Sequence, residues 1–137
     1  MTGSNQLIFT GADGALNFGD FTLPEKAKKP DFSFEGDLYK VKTSRDSTRL
    51  ERNDLLVYES EPGTTVRNFT ETPEKLSFTA EGAEDAQITI GMEENKDYAV
   101  EVNGKQLGVI PTVMGGKLVF SIELSPGNPS EVNIRRK

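Results

Sequence analysis

The sequence predicts a nearly all-β chain folded as an antiparallel β-sandwich of jelly-roll or immunoglobulin-like form, with a β-barrel as the alternative. Two observations predict it: apolar residues recur with a period of two, and turn-forming residues punctuate the chain every 8 to 12 residues. Alternation places one set of side chains on a buried face and the other in water, as in antiparallel rather than parallel sheets. At 137 residues the chain has the length of one ordinary domain. A domain of that size buries roughly two thirds of the surface its unfolded chain exposes.

From the N-terminus, Gln6 to Thr10, Leu16 to Leu23, Phe32 to Thr43 and Leu55 to Ser60 read as strands. The proline-bounded stretch from Pro24 to Pro30 carries Glu25, Lys26, Lys28 and Lys29 and reads as a charged loop. Ser44 to Asp54 has Leu50 as its only sizeable apolar residue, which predicts a short helical turn or a polar loop. Val66, Asn68 and Phe69 break parity, so a bulge or strand end is expected near Arg67. Leu76, Phe78 and Ala80 then alternate cleanly, as do Ile88, Ile90 and Met92, Tyr98, Val100 and Val102, and Leu118, Phe120, Ile122 and Leu124; Val132 and Ile134 close the chain. Asn103-Gly104 is the strongest hairpin signal, because both central positions of a type I′ turn need positive φ. Gly115-Gly116 and Asp13-Gly14 are the second and third hairpin candidates, and Pro62-Gly63 and Pro126-Gly127-Asn128-Pro129 read as looser turns. No linker splits the chain, although Glu71-Thr72-Pro73-Glu74 reads as a soft joint.

Composition excludes several chemistries. The chain has no Cys, His or Trp. Disulfides, thiolate nucleophiles and sulfur-ligated zinc are therefore out, and so are histidine-based triads and the strongest sugar-stacking ring. The net charge of −6 argues against nucleic acid, whose binding rests on cations neutralising phosphates. No apolar stretch approaches the roughly 20 residues of a membrane-spanning helix. The first residues lack the basic and apolar regions of a signal peptide, which predicts a cytoplasmic location; a trimmed secretory signal would instead place the protein outside the cell. No cofactor or metal is expected. Glu81 to Asp85 and Glu93 to Asp97 are acid-rich turns, but neither has the alternating acid spacing of a calcium loop. Gly115-Gly116-Lys117 lacks the earlier glycine and the following Ser or Thr of a phosphate loop.

Two constellations are candidate binding sites. Arg45, Arg49 and Arg52 could form a guanidinium fork for an anion, set against a solvated loop whose charges neutralise one another with Asp46, Glu51 and Asp54. Tyr39, Tyr58 and Glu59, with Asp37, could supply a sugar platform and carboxylates, set against ordinary strand residues. The basic end Arg135-Arg136-Lys137 is assigned no partner.

A series of motifs carries a resemblance: Phe18-Gly19-Asp20, Gly36 to Thr43, Thr48, Leu50-Glu51, Val57 to Ser60, Pro62-Gly63-Thr64 and Glu84 to Thr89. In these the chain resembles a group of small uncharacterised proteins of Firmicutes, especially gut clostridia, often carrying the name endosialidase. The resemblance spans most of the chain and implies no catalytic residue. Of the sialidase Asp-box, Ser-x-Asp-x-Gly-x-Thr-Trp, Ser44-Arg45-Asp46 matches only the opening. The expected role is a non-catalytic binding or assembly module, with a protein partner or a homo-oligomer. A carbohydrate-binding domain using Tyr39, Tyr58 and Phe69, and a small carboxylate-based glycan-active enzyme, are the alternatives.

Overall fold

A computed structural model describes residues 7–137. It holds β-strands and no helix among the described residues: β1 (Ile8–Thr10), β2 (Leu16–Phe18), β3 (Ala27–Phe34), β4 (Asp37–Thr43), β5 (Thr48–Arg52), β6 (Leu55–Glu61), β7 (Thr64–Glu71), β8 (Lys75–Gly82), β9 (Ala86–Gly91), β10 (Asp97–Val102), β11 (Lys105–Pro111), β12 (Lys117–Ile122) and β13 (Ser130–Arg136). They form two antiparallel sheets. The first runs β1-β2-β7-β8-β13-β10-β11 and the second β12-β9-β6-β5-β4-β3. The sheets are not closed into a barrel, so the architecture is the sandwich. Gln6, the expected start of the first strand, lies outside the described residues.

Alternation decides what lies between the sheets. Leu76, Phe78 and Ala80 of β8, Ile88 and Ile90 of β9, and Leu118, Phe120 and Ile122 of β12 are all buried in one continuous core. The parity break near Arg67 is a bulge: the β7–β8 register shifts between Arg67 and Thr70, and Asn68 takes φ 55°. Phe18, Tyr58, Phe69 and Phe78 form an aromatic centre, with Phe18 edge-on to Tyr58 at 5.3 Å and to Phe69 at 5.5 Å between ring centroids.

The core also holds a hydroxyl chain. Thr48 Oγ1 accepts from the Thr64 amide at 3.0 Å and donates to the Thr64 carbonyl at 2.8 Å. Its one proton is thereby used, so Thr43 Oγ1, 2.8 Å away, must donate to it. Thr64 Oγ1 lies 2.8 Å from both the Tyr58 and the Ser60 hydroxyls. Every buried side-chain polar atom among the described residues has a partner. Satisfaction of this kind is what makes a polar core tolerable.

Five local readings are corrected. The strand expected over Leu16 to Leu23 ends at Phe18, before Gly19 at φ 88°, and the strand expected over Phe32 to Thr43 is broken by a turn into the end of β3 and β4. The charged stretch before Pro30 is not wholly loop, because the chain enters β3 at Ala27. Pro30 is tolerated there because β3 is the free edge of its sheet. Ser44 to Asp54 is neither helical turn nor polar loop throughout: Thr48–Arg52 is β5, paired on both sides. Two tight turns, Glu35-Gly36 and Asn53-Asp54, have positive φ at both central residues, as Asn103-Gly104 does. Gly115-Gly116 is a turn with positive φ at both residues, but it carries the chain from one sheet to the other rather than joining neighbouring strands. Gly63 is required sterically, since a Cβ there would overlap the Ser44 carbonyl oxygen.

Candidate functional site

The three arginines go to three places. Arg45 is exposed in the turn before β5, where its backbone amide donates to Leu23 and its carbonyl accepts from Gly63. Arg49 and Glu51 face outward from β5, whereas Thr48, Leu50 and Arg52 face inward. Strand parity therefore separates Arg49 from Arg52, and no three-arginine fork exists.

Arg49 belongs to an ion-pair ladder on the outer face of the second sheet. Its Nε donates to Glu51 at 2.8 Å, its Nη1 lies 3.2 Å from Glu59, and Lys40 Nζ lies 3.1 Å from the other oxygen of Glu51. The hydrogen bond from Arg49 pulls the Glu51 carboxyl below its usual range against a smaller opposing effect of burial, and Lys40 adds to the lowering. Glu59 is thus the partner of Arg49 rather than one half of a free carboxylate pair.

The tyrosines are core residues. Tyr58 is fully buried and Tyr39 is 6% exposed; Phe69 is also buried. None presents a ring face to solvent for a sugar to stack on. Burial pushes the Tyr58 phenol up, with hydrogen bonds to Thr64 and Ser60 acting in the opposite direction.

Arg52 is different. It occupies an inward strand position at one end of the sandwich, where the sheets part. Its Nη1 donates to the Tyr39 hydroxyl at 3.4 Å and to Glu71 of the opposite sheet at 2.9 Å. Burial alone would lower the guanidinium; the bonds to Tyr39 and Glu71, with the Glu71 charge, outweigh it and the net direction is up. The pair divides the mouth into two cavities. One, of about 270 Å³, is bounded by Glu74, Lys75, Met92, Glu93, Tyr98 and Ile134. The other, of about 200 Å³, is bounded by Phe34, Glu35, Asp37, Tyr39 and Phe69. Glu93 in turn pairs with Arg136 at 3.0 Å. Among the described residues, no three acidic side chains converge closely enough to hold a metal ion.

Sequence reading singled out Tyr39 and Arg52 but missed Glu71, Glu93 and Tyr98. The Glu71 to Glu74 stretch read only as a joint. Had Thr48 to Arg52 been read as a strand, its parity would have turned Arg52 inward and raised the question of its partner. Comparison with family models, with curated proteins and with solved structures returned no match.

Proposed function

We propose that the protein is a non-catalytic assembly module that associates with a second copy of itself through the β11 side of the sandwich. One observation carries this reading. Gln106 to Gly116 contains no charged residue in a chain that is 28% charged, and it exposes Leu107, Val109, Val113 and Met114, the last at 94%. Exposed apolar groups clustered in this way mark interaction surfaces.

The two free edges on the opposite side of the sandwich support the choice, while β12, the remaining edge, lies on the β11 side. β1 is only three residues long, and β3 carries Lys28, Lys29, Pro30 and a left-handed Asp31 at φ 57°. Short length, lysines, proline and irregularity are how edges are closed to partners. A second copy suits β11 because the stretch is self-complementary. A two-fold axis at Gly108 sets Leu107 of one copy opposite Val109 of the other, and no charge lies between them. Each copy carries a net charge of −6, so contact through an uncharged stretch avoids like-charge repulsion.

Size-exclusion chromatography with light scattering tests this. The wild type is expected as a dimer, and Val109→Lys combined with Met114→Glu as a folded monomer. A strictly monomeric wild type at high concentration, or a dimer that survives the double substitution, refutes the reading.

A further inference from the structure

The geometry points to a second site: we propose that the mouth around Arg52 binds a neutral ligand bearing vicinal hydroxyls, of the size of one sugar ring. This goes beyond the assembly reading and does not rest on it, since the mouth and β11 are different surfaces.

The argument begins with unused donors. Both hydrogen bonds of Arg52 leave from Nη1. Nε and Nη2 donate to nothing among the described residues, neither is a buried unpartnered atom, and the side chain that lines both cavities is 34% exposed, so these donors are within reach of solvent. A guanidinium offers five N–H donors, and most of these are free. Beside them stands the Glu71 carboxylate, an acceptor held at 2.9 Å from Nη1. A donor fork beside a carboxylate suits a diol, because one hydroxyl can accept from arginine while its neighbour donates to glutamate.

Charge and size narrow the class. Around the larger cavity Arg52 and Lys75 face Glu71, Glu74 and Glu93; around the smaller, Arg52 faces Glu35, Asp37 and Glu71. With Arg136 paired to Glu93, charges balance around the larger cavity, and acids outnumber bases around the smaller; neither side carries the net positive charge that a carboxylate or phosphate ligand needs. A volume of about 270 Å³ lies just below the range of drug-sized pockets, and the half-buried Met92 side chain offers apolar surface to the carbon face of a single ring, Leu76 and Ile134 being buried behind it. Recognition here is by hydrogen bonds, not by the buried rings of Tyr39, Tyr58 and Phe69.

Two-dimensional amide NMR with D-glucose, D-galactose and D-mannose tests the site, with acetate and inorganic phosphate as anionic probes. At least one hexose should give saturable shifts at Glu74 to Leu76 and Met92 to Glu93, with a dissociation constant of about 1 mM. Arg52→Gln and Arg52→Lys should each weaken that binding about tenfold, the second because a point charge replaces the fork. The native amide spectrum of Arg52→Lys checks that the fold survives. Absence of saturable shifts with all three hexoses overturns the proposal. So does undiminished binding in both variants, or binding of acetate or phosphate as tight as that of the best hexose.

Discussion

Tyr58 and Gly63 show how little freedom some single positions have. The Tyr58 hydroxyl lies 2.8 Å from Thr64 Oγ1 inside a core closed to water. Replacing it with Phe leaves Thr64 bonded to Ser60, so the loss should be about 1 kcal/mol in denaturant melts rather than that of an orphaned group. The same burial predicts an alkaline titration in which Tyr58 ionises only as the protein unfolds, seen as a step in tyrosinate absorbance coincident with loss of near-ultraviolet dichroism. Gly63→Ala should cost about 2 to 4 kcal/mol, because the new methyl meets backbone, which cannot rotate away. Glu51 gives a pH dependence. Its carboxyl titrates below the usual 4.5 in the folded protein, so its contribution is complete above that value and is lost as pH falls through the folded value. Glu51→Gln should therefore lower stability at neutral pH by about 0.5 kcal/mol, the scale of exposed pairs, and the gap to wild type should close in acid.

At the scale of the element, most of the second half of the chain was legible because its strands, β11 apart, obey one rule. β8, β9, β10, β12 and β13 bury alternate residues along most of their length, and those residues are apolar except Ser130 at the start of β13. Phe120→Ala should accordingly cost about 3 to 5 kcal/mol in urea melts, since Phe120 is 6% exposed and part of the core. β5 was illegible for a definite reason. Its inward positions are Thr48, Leu50 and Arg52: one supports the hydroxyl chain, one fills the core, and one reaches across the mouth. Two of the three look polar in sequence, so the period of two is present but not written in hydrophobicity. The first part of β3, Ala27 to Asp31, was hidden by its position at a free edge, where lysines and proline are expected and a buried stripe is not. The mouth escaped notice because its groups come from strands of both sheets that are far apart in sequence, and pairing of Arg52 with Glu71 depends on the sandwich having formed.

For the whole molecule, the two long sides of the sandwich are unlike. The β1 and β3 side is short on one sheet and guarded on the other, whereas the β11 side carries the uncharged stretch Gln106 to Gly116 with its exposed apolar groups. That asymmetry has a consequence for how far association can go. A particle with one adhesive side, joined to its copy about a two-fold axis, has spent that side and has nothing left to offer a third. Growth therefore terminates, and the scattering mass should level off at twice 15.1 kDa however concentrated the solution becomes. Stripping β3 of its guards, by Lys28→Thr, Lys29→Val and Pro30→Thr together, would give the particle a second sticky side. The expected result is open-ended chains in place of a finite pair, visible as a mass that climbs with concentration.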